Sequence, residues 1–236
     1  MTGSEQPAAA AEALAAVPFL APLDPVDLAK LAGVLEDSWF DAGTVVFEAG
    51  LDNGDAGIFR LVRSHVATTI ATMGDAAPDT GGGIFTVFGT TTASGGRVLF
   101  AAAVTGGSVR SGLFLWRDGR ITKIAGEGEA APGGGTFAAI AADNVFPLAL
   151  RGRIAAFVPR VVLDDPLAPI ELGRVFVRRK GAPQALLGEG DATSLGGTIS
   201  ALPSSGAIAL ADGSVVFAAS LTGAEAVAAV FARAAR

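Results

Sequence analysis

The sequence predicts an all-β fold made of propeller-like repeats of four-stranded units, with a short N-terminal helix. Two patterns carry this prediction, a glycine-rich turn and an apolar strand template, and both recur along the 236 residues. Self-similarity at a long, regular period is typical of stacked or radially arranged supersecondary units. The sequence therefore indicates architecture more directly than it indicates chemistry.

The repeated turn begins with a glycine and an acidic residue and ends with a Gly-Gly pair before an apolar strand. Its three copies span residues 73–85, 127–137 and 189–199, and their first glycines are Gly74, Gly128 and Gly190. The third copy departs from the others because Thr193-Ser194 replaces the Ala-Pro pair. Since glycine adopts positive φ without strain, we expect all three glycines to have φ above zero.

The strand template has the form Gly-x-Val-x-Phe-x-Ala and occurs at residues 43–49, 96–102 and 213–219. Residues 152–157 are a poorer copy, in which the phenylalanine comes one place late. A second strand follows every template, a third follows all but the last, and a fourth starts at the Gly-Gly-x-Phe element. The second strands are predicted at 57–60, 112–115, 173–176 and 229–231, and the third strands at 69–71, 123–125 and 185–187.

These strands divide a repeat domain at residues 38–236 into four units, near 43–95, 96–151, 152–212 and 213–236. The first unit lacks its Gly-Gly-x-Phe strand and the last ends before its third strand, which predicts about four blades with incomplete terminal ones. Residues 1–37 form an Ala-rich leader and a helix over 24–36, where Asp24 is a suitable N-cap and Pro25 takes the first helical position.

Composition excludes several classes of partner and chemistry. The chain has no cysteine and therefore no disulfide or thiolate site. Its net charge of −6 argues against a nucleic-acid or anionic-membrane partner, because phosphates would be repelled. Neither a signal peptide nor a transmembrane segment is predicted, so the compartment is cytoplasmic by default. The apolar segment 226–232 predicts an exposed edge strand, and either ring closure or a homodimer would protect it.

The acidic residue after each repeated glycine is the candidate binding position, namely Asp75, Glu129 and Asp191. One interpretation is a ring of carboxylates at one end of the fold that binds a ligand or cation. The other is structural, because an acidic side chain can accept backbone N–H bonds within its own turn. Recurrence in every unit favours the structural interpretation, since catalytic sites are rarely repeated.

Other polar positions have simple structural explanations. The segment 52–55 offers oxygen ligands, but Asn53-Gly54 is typical of a hairpin turn. His65 is the only histidine, and the basic run 178–180 precedes Gly181 at the end of a predicted hairpin. There is no G-x-S-x-G elbow, Walker loop or dinucleotide fingerprint. The sequence therefore predicts no catalytic residue, no cofactor and no metal site, although it does not decide whether the chain is an enzyme.

Two resemblances follow from these motifs. Residues 41–236 resemble bacterial repeat proteins built from G-D-x-A-P-x-x-G-G-x-F turns and G-x-V-x-F-x-A strands, which are propeller-like and largely without assigned function. Residues 18–50 are similar to the start of a cyclic-nucleotide-binding domain. The phosphate-binding cassette of that family is missing, since neither Gly126-Glu127 nor Gly188-Glu189 is followed by its pattern. We therefore expect no cyclic-nucleotide affinity.

The sequence favours a non-enzymatic binding or scaffold module whose ligand, a protein or a small molecule, is unknown. Repeat folds present broad surfaces, and no catalytic set is evident here. Two alternatives remain open. One is a ligand sensor or hydrolase-type enzyme with carboxylates that converge at one end of the fold, and the other is a degenerate regulatory module like a cyclic-nucleotide-binding domain.

Overall fold

A computed structural model describes residues 44–51, 54–62, 67–140, 147–163, 168–202, 208–211, 213–225 and 228–234. Contacts divide the chain into two units, one of Met1–Val45 and Arg60–Thr68 and the other of Val46–Phe59 and Thr69–Arg236. The predicted leader and helix of residues 1–37 lie outside the described residues. The second unit contains most of the strands.

The described residues form 17 strands and no helix, which confirms the predicted all-β class. Sheet 1 contains β1 to β3, sheet 2 contains β4 to β7, sheet 3 contains β8 to β13 and sheet 4 contains β14 to β17. Within the described segments, no helix is long and apolar enough to cross a membrane. The strands are β1 Thr44–Gly50, β2 Ala56–Val62, β3 Ala67–Thr72, β4 Ile84–Ser94, β5 Arg97–Thr105, β6 Ser111–Arg117, β7 Arg120–Gly126, β8 Thr136–Phe137, β9 Leu148–Arg151, β10 Ile154–Phe157, β11 Arg160–Leu163, β12 Ile170–Arg178, β13 Gln184–Gly188, β14 Thr198–Ala201, β15 Ile208–Ala211, β16 Ser214–Thr222 and β17 Ala228–Ala234.

Every strand predicted from the repeats has a counterpart in the structure. The copies of the strand template correspond to β1, β5, β10 and β16. The predicted second strands correspond to β2, β6, β12 and β17, and the predicted third strands to β3, β7 and β13. Some predicted strands are interrupted. In sheet 3, β8 pairs with β11 and β9 pairs with β10. In sheet 4, β14 and β15 both pair with β16.

The sheets do not coincide with the sequence units. The strand that opens at the Gly-Gly-x-Phe element pairs with the template that follows it, so β4 pairs with β5 and not with β3. A tight connection explains this, because Gly95 and Gly96 link Ser94 to its partner Arg97 and have φ of 58° and 69°. Two-residue turns with positive φ at both positions suit the twist of a β-hairpin. Sheets 2, 3 and 4 therefore each begin at a repeated turn.

The late phenylalanine of the poorer template is in register in the structure. Phe157 pairs with Phe176 across strands, as Phe100 pairs with Phe114 in sheet 2. The difference lies in the preceding turn, where Gly152 is the first of two turn residues whereas Gly96 is the second. One extra residue between glycine and phenylalanine is thus absorbed by the turn.

A stacked phenylalanine pair recurs in every sheet. The ring centroids of Phe100 and Phe114 are 5.7 Å apart, and those of Phe157 and Phe176 are 5.5 Å apart. Equivalent pairs join strands of the first and last sheets. We call the face that carries this pair the front face of a sheet, and the opposite face the back face. In the first and last sheets the pairs are Phe47–Phe59 and Phe217–Phe231.

The sheets pack in the order of the chain, with the front face of each on the back face of the one before. Three buried apolar clusters result, between sheets 1 and 2, between sheets 2 and 3, and between sheets 3 and 4. In β5, Phe100 belongs to the first cluster and Leu99 to the second, because neighbouring residues of a strand point to opposite faces. Burial on both faces explains why these strands are continuously apolar.

The antiparallel strands place two kinds of connection at opposite ends of the sheets. The three repeated turns lie at what we call the turn end. The short connections after β4 and β6 in sheet 2 and after β9 and β12 in sheet 3 lie at what we call the hairpin end. Side chains at the turn end of one sheet therefore correspond to side chains at the turn end of the next, and the same holds for the hairpin end.

Candidate functional site

The repeated turn is closed by the same backbone hydrogen bond in all three copies, although the first copy is two residues longer. The N–H of Gly74 donates to the carbonyl of Phe85 at an N···O distance of 2.9 Å, and the N–H of Gly128 donates to the carbonyl of Phe137 at 2.8 Å. The third copy repeats this bond from Gly190 to Ile199 at 2.8 Å. The φ angles of the three glycines are 87°, 79° and 90°, which confirms the expectation from the sequence.

Two of the three candidate carboxylates bond to their own turns. Asp75 Oδ2 accepts the backbone N–H of Thr72 at 2.7 Å, and Asp191 Oδ2 accepts that of Gly188 at 2.8 Å. Each donor lies three residues before its acceptor. These are the hydrogen bonds that the structural interpretation of the two positions requires.

Glu129 occupies the same position but has a different partner. Its carboxylate Oε1 accepts from the ammonium Nζ of Lys123 on β7, and the lysine side chain is 11% exposed. Among the described residues, no group of three or more acidic or histidine side chains is placed to hold a metal ion. The three positions are therefore brought into equivalent turns, and their carboxylates have partners within or beside those turns.

Another glutamate at the turn end links two sheets. The side chain of Glu189 is 10% exposed and lies against Arg160, whose Nη1 donates to Oε1 at 3.0 Å and to Oε2 at 3.1 Å. The same Oε1 accepts the backbone N–H of Leu202 at 3.0 Å. These bonds satisfy the carboxylate locally, so we assign Glu189 a structural role.

The remaining sequence candidates lie partly outside the described residues. His65, the predicted helix and most of the segment similar to a cyclic-nucleotide-binding domain are in this category. Around the segment 52–55, the N–H of Leu51 donates to the carbonyl of Asp55 at 2.7 Å and Gly54 has φ of 87°. Asn53, which carries the prediction of a hairpin turn together with Gly54, lies outside the described residues.

The hairpin end carries a cluster of arginines, of which only Arg178 belongs to the basic run 178–180 noted in the sequence. Arg97 lies directly opposite Arg117 in the β5–β6 pair, and Arg117 lies directly opposite Arg120 in the β6–β7 pair. Like charges directly opposite each other on a sheet are destabilising. We define the arginine cluster as these three residues of sheet 2 together with Arg153 and Arg178 of sheet 3.

The arginine cluster lies at the boundary of two packed sheets. Arg97 Nη1 donates to the carbonyl of Gly152 at 2.6 Å, and the N–H of Gly152 donates to Ser94 Oγ at 3.1 Å. The side chain of Arg178 is half-buried, and its Nε donates to the carbonyl of Gly181 at 2.8 Å. Both guanidinium groups donate to neutral backbone carbonyls, which position them without cancelling their charges.

The charges in this cluster perturb one another. Burial lowers the pKa of Arg97, and the positive charges of Arg117 and Arg153 lower it further. Burial also lowers the pKa of Arg178, with a further contribution from Arg97. Asp118, which pairs with Arg117 at 2.8 Å, opposes the shift at Arg97. In the described part of the chain, no carboxylate forms an ion pair with Arg97, Arg153 or Arg178.

The basic character continues onto the next pair of sheets. Arg151 Nη1 donates to the carbonyl of Leu210 at 3.1 Å, and Arg179 Nη2 donates to the carbonyl of Gly213 at 3.4 Å. Of this whole surface, only the run 178–180 is recognisable as basic from the sequence pattern alone. A usable signal was the presence of arginines beside the hairpin glycines, such as Arg97 after Gly96 and Arg153 after Gly152.

Comparison with known proteins gives a family and no activity. Residues 37–194 match the model of a family of unknown function (DUF7453), which is more than half of the chain. No curated protein and no solved structure shows a significant match. The geometry and charge of the turn end and the hairpin end are therefore the basis for inferring a ligand.

Proposed function

The chain belongs to this family of unknown function, and we propose that it is a non-enzymatic binding module whose hairpin end binds an acidic protein segment. The opposed row of Arg97, Arg117 and Arg120 is the observation that carries the proposal. Guanidinium groups bind carboxylates through charge-assisted and often bidentate hydrogen bonds. A ligand carboxylate at this row would relieve the repulsion between the three arginines.

Charge distribution supports a short acidic partner over an extended polyanion. The chain as a whole has a net charge of −6, so the basic surface is local. The described acidic side chains of the repeated turns lie at the opposite end of the sheets. A long nucleic acid would meet the repulsive field of the rest of the molecule, whereas a short acidic peptide would meet mainly the arginine cluster.

A purely structural role explains the arginine cluster less well. Bonds from Arg97 to Gly152 and from Arg178 to Gly181 use N–H donors, and a neutral donor could supply these without the charge. Arg120 and Arg153 are exposed and add charge at this end. Among the described residues of the cluster, only Arg117 pairs with a carboxylate, that of Asp118. Surface charge left unbalanced in this way is typical of a binding surface more than of a scaffold.

We further infer a propeller-like arrangement, in which each sheet is one blade. Its support is the sequential packing of sheet 1 on 2, 2 on 3 and 3 on 4, with one phenylalanine pair in each sheet. Broad surfaces formed from the ends of successive sheets are where such repeat folds bind their partners. The alternative of an enzyme or sensor with converging carboxylates has less support, because Asp75 and Asp191 bond to their own turns.

Fluorescence anisotropy with a labelled decaglutamate peptide tests the proposal. We expect saturable binding that weakens as salt rises, and a loss of about twofold to thirtyfold in affinity for Arg120→Gln/Arg153→Gln, since each exposed charge contact contributes about 0.2–1 kcal/mol. Arg110→Gln is the control for a single exposed arginine at the turn end, and it should bind like the parent.

Three outcomes would contradict the proposal. They are no binding of decaglutamate, equal losses for Arg153→Gln and Arg110→Gln, or tighter binding of a single-stranded oligonucleotide of the same charge. Decaglutamine should not bind in any case, because it lacks the carboxylates. Circular dichroism of each variant separates a binding defect from a folding defect.

A further inference from the structure

The arginine cluster comes from the two faces that pack against each other between sheets 2 and 3. On β5, Arg97 precedes Leu99 by two residues, and Leu99 is a back-face residue of the buried apolar cluster between these sheets. Because alternate residues of a strand share a face, Arg97 lies on the back face of sheet 2. Register puts Arg117 opposite Arg97, and Arg120 opposite Arg117, so both lie on that face as well.

Sheet 3 contributes arginines from the opposite side of the same interface. Arg178 follows Phe176 by two residues on β12, and Phe176 belongs to the front face of sheet 3, so Arg178 lies on that face too. Ala155, its cross-strand partner, is buried between sheets 2 and 3. Arg153 precedes Ala155 by two residues, at the connection between β9 and β10. At the hairpin end, arginines therefore lie on both sides of one interface.

A chain of hydrogen bonds joins the two sheets at this point. Arg97 Nη1 donates to the carbonyl of Gly152 at 2.6 Å, and the N–H of Gly152 donates to Ser94 Oγ at 3.1 Å. Ser94 lies directly opposite Arg97 in the β4–β5 pair, so its hydroxyl is on the same face. Arg97 is thus held against sheet 3, where it is half-buried. We call Arg97, Arg153 and Arg178 the interface arginines.

The interface arginines keep N–H groups with which they can bind a ligand. The described bond of Arg178 uses Nε, which donates to the carbonyl of Gly181 at 2.8 Å, and it leaves both Nη groups. The described bond of Arg97 uses Nη1 and leaves Nε and Nη2. Neighbouring N–H groups of a planar guanidinium bind an oxyanion through two parallel bonds. Arg97 and Arg178 therefore each retain one such pair of donors.

Charge at this point favours a ligand group that carries more than one negative charge. Burial, and then the positive charges of Arg117 and Arg153, lower the pKa of Arg97, so these charges act within range of one another. Of the described cluster, only Arg117 has a carboxylate partner, Asp118 at 2.8 Å. A carboxylate brings one charge and two oxygens, whereas a phosphate monoester brings about −1.5 to −2 charges at pH 7 and three acceptor oxygens. A phosphate monoester can therefore contact guanidinium groups on both faces at once.

From this geometry, we propose that the acidic segment carries a phosphorylated serine, and that its phosphoryl group binds between Arg97 of sheet 2 and Arg178 of sheet 3. The inference rests on the proposed function, because it specifies one chemical group of the segment that the hairpin end binds. Arg153 adds positive charge beside the phosphoryl group. Arg117 and Arg120, which continue the row on β6 and β7, bind the carboxylates that flank the phosphoserine.

Fluorescence anisotropy with two labelled peptides of equal length and nearly equal charge tests this inference. Both contain the same flanking glutamates in a glycine–serine sequence, and they differ only at the centre, where one has a phosphoserine and a serine and the other has two glutamates. At about pH 7.5 the phosphoserine is almost fully in its doubly charged form. We expect the parent to bind the phosphoserine peptide about tenfold more tightly, the effect of one further charge-assisted hydrogen bond.

Variants are judged by the ratio of their dissociation constants for the two peptides. Arg97→Gln and Arg178→Gln should each bring this ratio close to one, because each removes the charge from one side of the interface. Arg120→Gln is the matched control in the outer part of the row, and it should weaken both peptides by a similar factor and keep the ratio. If circular dichroism shows Arg97→Gln unfolded, Arg97→Lys decides in its place, since it keeps the charge but loses the paired donors.

Three results would overturn the inference. Equal affinity of the parent for the two peptides, with decaglutamate bound, removes the phosphoryl group and leaves the proposed function standing. An equal fall of the ratio in the Arg97 and Arg120 variants shows that the phosphoryl group does not bind between the sheets. Inorganic phosphate that displaces the phosphoserine peptide at an equal concentration shows a site for free phosphate. Decaglutamate that fails to bind contradicts the proposed function itself, whatever the ratio.

Discussion

Sheets 2 and 4 are built from the same template strands and differ in how many of their faces are covered. In sheet 2, Leu99 and Leu113 of the back face are 0% exposed, and so are Phe100 and Phe114 of the front face. In sheet 4, Phe217 of the front face is 1% exposed while Val230 of the back face is 72% exposed. Equal sequence patterns therefore give equal strands, but the stabilisation that each side chain provides depends on its neighbour.

The largest difference is expected for equivalent apolar residues on the two back faces. Leu113→Ala should lower the free energy of unfolding by about 2–5 kcal/mol, because it leaves a cavity between sheets 2 and 3. Val230→Ala should change it by less than about 0.5 kcal/mol, as exposed positions usually do. Urea denaturation of dilute protein measures both values, and equal losses would show that the two back faces are buried alike.

A smaller difference is expected in the turns that precede the two sheets. Thr80, before sheet 2, is 1% exposed, and its Oγ1 donates to the carbonyl of Ala77 at 2.6 Å and accepts the N–H of Gly83 at 3.1 Å. Thr80→Val should cost about 1–3 kcal/mol, because two buried backbone groups lose their partner.

Thr193 is the threonine of the turn before sheet 4, where it stands at the position that Ala77 takes in the first turn. Its Oγ1 donates to the carbonyl of Gly196 at 2.9 Å in an exposed setting, where water can replace the bond. Thr193→Val should therefore change stability by less than about 0.5 kcal/mol. If thermal melts placed the Thr80 and Thr193 variants together, the buried hydroxyl of the first turn would not be a source of stability.

The smallest difference between the two regions is expected at the first glycine of each repeated turn, where the loss of stability should be the same. Gly74 and Gly190 have φ of 87° and 90°, and an added Cβ meets nothing within 4 Å at either position. Alanine at each should therefore cost about 1 kcal/mol through backbone strain alone. Gly50→Ala is the control, since Gly50 lacks positive φ and has space for a methyl group. Unequal losses for Gly74→Ala and Gly190→Ala would mean that the sheet environment reaches into the turn.

The sequence predicted the strands and turns well because these features are local. Glycine at the first turn position and phenylalanine in the template have the same role in each repeat, so repetition made them visible. The assignment of strands to sheets was less accessible, because pairing of β4 with β5 depends on the Gly95-Gly96 connection. A tight two-residue connection brings those strands together, whereas the repeated turn separates β3 from β4.

The candidate sites were predicted less completely, for a physical reason. The sequence left two interpretations of Asp75 open, because a local N–H acceptor and a ligand-binding carboxylate require the same residue. The arginine cluster was missed because it forms only when distant segments meet. Arg97 and Arg178 lie 81 positions apart in the numbering, and packing of sheet 3 on sheet 2 brings their charges into range of each other.

The separation of the interior into three clusters has a consequence for cooperativity. Each cluster contains residues of two neighbouring sheets, so no side chain of sheet 1 shares a cluster with one of sheet 4 among the described residues. Free energy in such a row is a sum of nearest-neighbour contributions, and opening can start at one end without disrupting the other. Amide hydrogens of β16 and β17 should therefore exchange through partial opening, while those of β5 and β6, held from both sides, should exchange only when two interfaces separate.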